Sequence, residues 1–450
     1  MPTSDGLLPA SALTVESLDS EGRGVARSAG KAIFVEGALP GEIVTVDVFK
    51  KRPTFDIGRV RSILRSSANR VVPRCPHFGV CGGCTLQHAS PSLQIAAKQR
   101  TLEDALQRIG HVRAERMLPP VEGPAWSYRF RARLSVRYVA KKGGVLVGFH
   151  ERKSSFVADM RVCHVLPKKI SDMLPGLREL VGALTIRDHL PQIEVAVGER
   201  PGTGDGLVYA LILRILAPLT PEDRTRLADF SDNYGVDFWL QTGGPASAAP
   251  LRPAETLLAY GLPEFAVTLS FAPTEFTQVN NAINRVLVRH AMALLDPRPN
   301  ERIVDFFCGL GNFTLPIARR GATAIGVEGN SAMVKRARAN ALANTLADRA
   351  EFRVANLANP PLGFIPSLGQ VDRVLIDPPR EGAIELVKAL PPCGDPNAPT
   401  RIVYVACNPA TLARDAAVLV HRLGYRLAAA GVVNMFPHTA HVESITVFER

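Results

Sequence analysis

Between Leu13 and Leu64, apolar and polar positions alternate over short stretches (LTVESL, KAIFVEG, EIVTVDVF, IGRVRSIL) punctuated by Gly22, Gly24, Gly37 and Gly41. Alternation with a period of two puts apolar side chains on one face of an extended chain, and the glycines supply turns, so this segment predicts a small β-barrel. A helix is expected over about Ser92–Ile109. Alternation returns in YRFRARLSVRYV, from Tyr128 to Val139, and would set Arg129, Arg131 and Arg133 on one face of a strand as a ridge for a polyanion. Further strands, among them QIEVAVGE and LVYALILRIL, continue to about Phe271, while GERPGTGDG and TGGPASAAP read as loops.

From about Thr274 the period changes. Apolar strands ERIVDFF, ATAIGVE, VDRVLID and RIVYVAC alternate with helical stretches such as SAMVKRARANALAN, the pattern of a doubly wound parallel sheet. The chain ends in YRLAAAGVVNMF, the turn PHTAH and VESITVFE; a hairpin there would run its last strand antiparallel to the others. The expected fold is therefore multi-domain. An OB-like β-barrel spans 1–66 and a central α+β domain spans 67–270, its helix having the last domain as a candidate packing partner. An α/β Rossmann-like domain fills 271–450.

Composition adds a location and a partner. Of 450 residues, 46% are apolar, yet no apolar run is long enough to cross a bilayer, and Met1–Ala10 lacks the basic start and apolar stretch of a leader. The expectation is a soluble cytoplasmic protein with no membrane partner. The net charge of +11 is uneven: residues 71–180 hold 18 Lys or Arg against 8 Asp or Glu, while residues 181–450 hold 25 against 26. A basic surface confined to the middle of the chain points to nucleic acid, because cations that neutralise phosphates release counterions. Lys50, Lys51 and Arg52, between two barrel strands, would present further charge to phosphates. Seven cysteines, an odd number, argue against a disulfide framework and leave metal binding or catalysis as their use.

Strand RIVYVA delivers Cys407, and Asn408-Pro409 then stops the ladder. α/β folds keep their sites at such strand ends, and a thiolate is the strongest side-chain nucleophile near neutral pH. Alone, a cysteine there reads more readily as core packing. Its surroundings reverse that reading. The turn Asp305-Phe306-Phe307-Cys308-Gly309-Leu310-Gly311-Asn312-Phe313 lets backbone approach a ligand, but Thr314 replaces the third glycine of a dinucleotide fingerprint. Glu328 ends the next strand, where an acid holds ribose hydroxyls. Together they favour S-adenosylmethionine over NAD. In Asp377-Pro378-Pro379-Arg380, arginine stands where enzymes methylating exocyclic amino groups carry an aromatic residue, which demotes amino methylation and favours ring-carbon chemistry through Cys407. The final hairpin would bring Glu443 to the rim that carries Cys407. A nucleophile and a base suit C5 methylation of uracil: thiolate addition to C6 makes C5 a carbanion equivalent, and a base must later remove the C5 hydrogen. The target base must also leave its stack.

A third constellation is Cys75, Cys81 and Cys84, with five and then two residues between them, and Cys163 beyond. Four thiolates suit tetrahedral zinc or an iron–sulfur cluster, and spacing leaves that choice open. His77 is a lesser candidate ligand. Cys308 and Cys393 have no partner set and read as inert.

The barrel segment resembles a TRAM domain, an RNA-binding module. The motifs FTQVN, DFFCGLGNFTLP, DPPREGA, YVACNPATLARD and MFPHTAHVES, in this order, resemble the bacterial RNA uracil-5-methyltransferases over nearly the whole chain, most closely the branch acting on 23S ribosomal RNA. The resemblance implies a [4Fe-4S] cluster on Cys75, Cys81, Cys84 and Cys163. It implies cofactor contacts from Gln278, Phe307, Asn312, Glu328, Asn356 and Asp377, nucleophilic Cys407, the base Glu443, and a monomer. Ala406 stands where the family commonly has serine, and DPPREGA replaces DPARAGA; neither removes a reacting group. Relatives acting on transfer RNA lack the cysteine set and the TRAM segment, and a relative acting at another ribosomal uridine lacks the TRAM segment, so residues 13–64 discriminate the target. A non-catalytic RNA-binding or ribosome-assembly factor is the rival of a different class.

Overall fold

The computed structural model describes residues 12–200, 206–253 and 258–450. The leader reading of Met1–Ala10 and the centre of the GERPGTGDG loop lie outside them. Five strands, β1 (Leu13–Leu18), β2 (Gly24–Ser28), β3 (Lys31–Glu36), β4 (Ile43–Lys51) and β5 (Phe55–Arg65), close into a barrel in the order β1-β2-β3-β5-β4. Its small core is Val15, Ala26, Ile33, Val35, Ala38 and Val44, the inward half of the alternation. The second strand, GVARS, is the one the apolar pattern did not announce; it pairs with β3 from Gly24↔Val35 to Ser28↔Lys31. Lys50 and Lys51 end β4 and Arg52 lies in the turn to β5, all exposed.

Helix α1 (Pro91–Arg108) begins at Ser90, whose Oγ accepts the Leu93 amide at 3.3 Å, with proline in the first turn. A short strand, β6 (Arg116–Met117), follows. The middle sheet contains β7 (Arg131–Val139), β8 (Gly144–Gly148), β9 (Gln192–Glu199), β10 (Leu207–Arg214), β11 (Asp237–Gln241), β12 (Ala249–Pro250), β13 (Leu258–Leu262) and β14 (Val267–Phe271), with helices α2 (Lys168–Ala183) and α3 (Pro221–Tyr234). The expected arginine ridge is broken up. Arg129 precedes β7 and lies over the Phe149 ring, and Arg131 is spent on the Pro273 carbonyl. Of the three, Arg133 alone is exposed, and it pairs with Glu194 at 3.1 Å. Alternation gave the face correctly, but neighbouring segments cover two of the three charges.

The last part contains β15 (Arg302–Phe306), β16 (Thr323–Glu328), β17 (Ala350–Val354), β18 (Arg373–Ile376), β19 (Arg401–Ala406), β20 (Arg426–Val433) and β21 (Glu443–Glu449). Its helices are α4 (Asn281–Leu295), α5 (Thr314–Arg319), α6 (Ser331–Ala343), α7 (Phe364–Ser367), α8 (Ile384–Ala389) and α9 (Pro409–Ala417). The sheet order is β17-β16-β15-β18-β19-β21-β20-β6, parallel from β17 to β19 with β21 antiparallel between β19 and β20. Residues far upstream join this body. β6 extends the sheet along β20, and Leu102, Ala105, Leu106 and Val112 share a core with Tyr404, Leu412 and Ala416. The sheet edge is thereby covered by an earlier part of the chain, and an apolar face of α1 is buried.

Candidate active site

The strand ends of the parallel sheet make one rim. Phe307 follows β15 in the left-handed region at φ 64°, and its amide donates to the Val327 carbonyl at 2.8 Å. This unusual backbone turns the chain away from the ladder toward Gly309 and Gly311, both also at positive φ. Glu328, at the end of β16, accepts the Gly309 amide at 3.3 Å and the Asn330 amide at 2.9 Å, so one carboxylate ties two rim loops together. Asn356 follows β17 and accepts the amides of Ala358 and Asn359. Asp377 follows β18, its amide donating to the Phe306 carbonyl at 3.2 Å; desolvation pushes its carboxyl up to about 7.

The remaining two predicted cofactor residues lie toward α4. Asn312 and Asn284 exchange reciprocal amide hydrogen bonds of 3.0 Å, and Tyr260 donates to Asn312 Oδ1 at 3.0 Å. Gln278 lines a small cavity with Tyr260, Phe271, Thr277, Asn281 and Asn284. Asp305 was not among the predicted residues. Its Oδ2 accepts from Thr314 Oγ1 at 2.5 Å, its Oδ1 is buried without a partner, and burial raises the acid to about 8. The signal available in the sequence was its place, the last acid of the strand before the glycine turn.

Cys407 and Glu443 meet as expected. Strands β19 and β21 pair from Arg401↔Glu449 to Ala406↔Ser444, so the next positions outward are Cys407 and Glu443. Glu443 also pairs with Val433 of β20. It is buried, and its carboxyl stands well above the usual range, first through desolvation and then through Asp377, with Arg380 opposing. The Cys407 thiol is raised to about 11 by burial, then by Glu443 and Asp377, with the Arg380 guanidinium again pulling it down. Two carboxyls and one thiol therefore share a desolvated corner, with the exposed Arg380 guanidinium at its edge. Asn408 caps α9 through the Ala410 amide at 3.0 Å and donates to the Arg380 carbonyl at 3.2 Å, joining the nucleophile's loop to the Asp377-Pro378-Pro379-Arg380 loop.

Cys75, Cys81, Cys84 and Cys163 line one small cavity of about 20 Å³, with His77, Arg129 and Met160 also at its wall. Burial raises all four thiols, Cys84 to about 12 and Cys163 to about 11. Among the described residues no three His, Cys, Asp or Glu side chains stand close enough to hold a single metal ion.

Three family descriptions match the chain: "TRAM domain" over residues 12–60, "Methyltransferase domain" over 303–377 and "tRNA (Uracil-5-)-methyltransferase" over 367–450. The 23S rRNA (uracil(1939)-C(5))-methyltransferase RlmD of Aromatoleum aromaticum is 57% identical over 97% of this chain and 99% of its own length. The enzyme of the same name from Nitrosospira multiformis is 57% identical over 97% and 98%. Among solved structures, the Pyrococcus abyssi tRNA (uracil-54, C5)-methyltransferase in complex with S-adenosyl-L-homocysteine superposes with a TM-score of 0.73 at 25% identity, covering 98% of this chain and all of that one. With a barrel, a methyltransferase sheet and full-length relatives of this similarity, the chain belongs to the RlmD family of RNA uracil-C5-methyltransferases.

Proposed function

We propose that this protein transfers a methyl group from S-adenosylmethionine to C5 of a uridine in 23S ribosomal RNA, the nucleotide at position 1939 named for its relatives. The observation that carries the reading is the placement of Cys407 and Glu443 as neighbouring positions on adjacent strands, at the rim where β15 to β18 also end. In this reading Glu328 holds the ribose hydroxyls, and Gln278, Phe307, Asn312, Asn356 and Asp377 make the other cofactor contacts. The unpartnered Oδ1 of buried Asp305 marks a rim that lacks a ligand's polar group. Bound S-adenosylmethionine supplies an electrophilic methyl group on a positively charged sulfur.

The chain's residues do the rest. The Cys407 thiol gives up its proton to water, a loss the Arg380 charge favours, and the thiolate adds to C6 of the uracil, forming an S–C6 bond as the C5–C6 π pair becomes an enolate with carbanion character at C5. C5 takes the methyl group as the S–CH3 bond breaks, leaving S-adenosylhomocysteine. Glu443 as carboxylate then takes the C5 hydrogen as a proton, the C5–H pair re-forms the C5–C6 double bond, and the S–C6 bond breaks to release Cys407 as thiolate. Burial suits Glu443 to this step, since a carboxylate denied water is a stronger base. All these groups come from one chain, in keeping with a monomer. Among the described residues no helix is long and apolar enough to cross a membrane.

The same reading places a [4Fe-4S] cluster on Cys75, Cys81, Cys84 and Cys163. The donor set fits: four buried thiols line one cavity, and as thiolates they need positive charge that iron would provide. Four thiolates would suit zinc as well; the family to which the chain belongs is the reason for reading a cluster there. With Cys163 as fourth ligand such a cluster would be structural or would orient the RNA.

Tritiated methyl donor and unmodified 23S RNA test the activity. Wild-type protein should label one uridine and Cys407→Ala should label none; labelling that survives the substitution would sink the thiolate route. An unlabelled wild-type reaction would favour an RNA-binding assembly factor.

A further inference from the structure

Glu443 begins β21, and the loop before it, from Asn434 to Val442, is gripped by segments from far upstream. His438, at its centre, is a non-glycine residue in the left-handed region at φ 66°. Such a backbone persists only where its surroundings over-determine it, and these residues gather at functional sites. Here the hold is specific. The His438 amide donates to Gln94 Oε1 at 2.8 Å, and its carbonyl accepts the amides of both Thr85 and Leu86 at 2.9 Å. Its ring stacks on Trp126 at 3.9 Å between centroids. On either side of it, Ala440 donates to Thr85 Oγ1 at 3.1 Å, Tyr128 Oη donates to the Pro437 carbonyl at 3.0 Å, and buried Lys98 donates to Asn434 Oδ1 and the Phe436 carbonyl at 2.7 and 2.8 Å.

Gln94 spends its amide nitrogen on the Leu86 and Ala89 carbonyls, at 3.1 and 2.9 Å, so the segment that holds His438 is itself folded onto α1. Thr85 and Leu86 directly follow Cys84. Arg74, directly before Cys75, lies over the Trp126 ring that stacks on His438. Both ends of the cysteine segment thus reach one strained residue of the loop that carries the base.

We propose that Thr85, Leu86, Gln94 and Trp126 form a strap that holds His438 in its left-handed backbone and so positions Glu443 for proton removal at C5. They are positioning residues, acting through the loop on the base and not on the nucleophile. The inference rests on the reading of Glu443 as the base, and its test separates the two. A strap that serves only Glu443 leaves thiolate addition and methyl transfer intact and slows the step after them.

Gln94→Leu should lower kcat about 10- to 100-fold, the range a misplaced catalytic group commands, with KM changed by no more than about twofold. With ordinary uridine RNA and methyl donor it should build up a covalent protein–RNA species on a denaturing gel, while 5-fluorouridine RNA, whose adduct needs no base step, is trapped at the wild-type rate. Thr85→Val, which removes one side-chain acceptor and leaves the backbone bonds, should act in the same direction to a smaller extent, and is read in the same way if Gln94→Leu does not fold. The strap is overturned if folded variants, by unchanged melting temperature, accumulate no covalent species. It is also overturned if 5-fluorouridine trapping slows as much as turnover. Wild-type protein that forms no fluorouridine adduct would remove the reading of the site on which the strap rests.

Discussion

Cys407 and Glu443 occupy opposing positions just beyond Ala406↔Ser444, the last antiparallel pair of β19 and β21. A sheet ladder fixes such a pair more firmly than a loop could, because a one-residue slip would turn Glu443 to the opposite face and bury Ser444's neighbours wrongly. The two groups act at different steps, so their removal should have different signatures. Cys407→Ala should bind RNA and form no covalent species. Glu443→Gln should form the covalent species and release it slowly, with turnover down by about 10²- to 10⁴-fold, the usual worth of a general base. Denaturing gels on the two variants, with ordinary and 5-fluorouridine RNA, check both; equal behaviour would dissolve the division of labour.

Arg380 is the cation in the corner shared by Cys407, Glu443 and Asp377, and it lowers both the thiol and the Glu443 carboxyl. With the thiol at about 11, thiolate is scarce at neutral pH and increases as pH rises. Arg380→Gln removes a favourable charge and should push the thiol higher still, slowing alkylation of Cys407 at any fixed pH below its titration. Glu443→Gln removes a like charge and should quicken it. Iodoacetamide labelling across pH 7 to pH 10, with Cys407 resolved by peptide mass spectrometry, reads both directions. Alkylation rates unchanged in both variants would mean that burial alone sets the thiol.

Glu328 takes the Gly309 and Asn330 amides while standing at the strand end assigned to ribose. Hydrogen bonds to a charged group contribute about 1.5–3 kcal/mol each. Glu328→Ala should therefore weaken S-adenosylhomocysteine binding by about 10- to 100-fold, and Glu328→Gln by less, since an amide oxygen still accepts. Isothermal titration calorimetry decides this. An unchanged affinity in Glu328→Ala would move the ribose elsewhere.

Much of this site was legible because it is local or periodic. The alternation of strand and helix after Thr274, the glycine turn ending at Asn312, and the acid at the end of β16 are each contained in a few consecutive residues. Even the meeting of Cys407 with Glu443 follows from one hairpin. What sequence reasoning missed is long-range. Nothing in Arg116–Met117 announces that two residues will extend a sheet along β20. Nothing in Gln94 says that it will hold an amide 344 residues away. The arginine ridge failed for the same reason: period-two spacing gives a face, but whether Arg131 meets solvent depends on Pro273, which the strand's own sequence does not contain.

The four-cysteine cavity carries the last prediction. Its thiols are raised by burial, so as free thiols they would stay protonated at neutral pH, and the Arg129 charge offsets this only in part, at Cys81. A cluster resolves that cost by supplying charge to four thiolates at once. Protein prepared without oxygen should be brown and contain iron and acid-labile sulfide in equal amounts. Cys81→Ser should lose the visible absorbance, and because Thr85 and Leu86 follow the cluster segment, it should also lose protection of the His438 loop in hydrogen exchange. Cys393→Ser, outside the cavity, should change neither. A colourless wild-type protein with stoichiometric zinc would replace the cluster by a single ion.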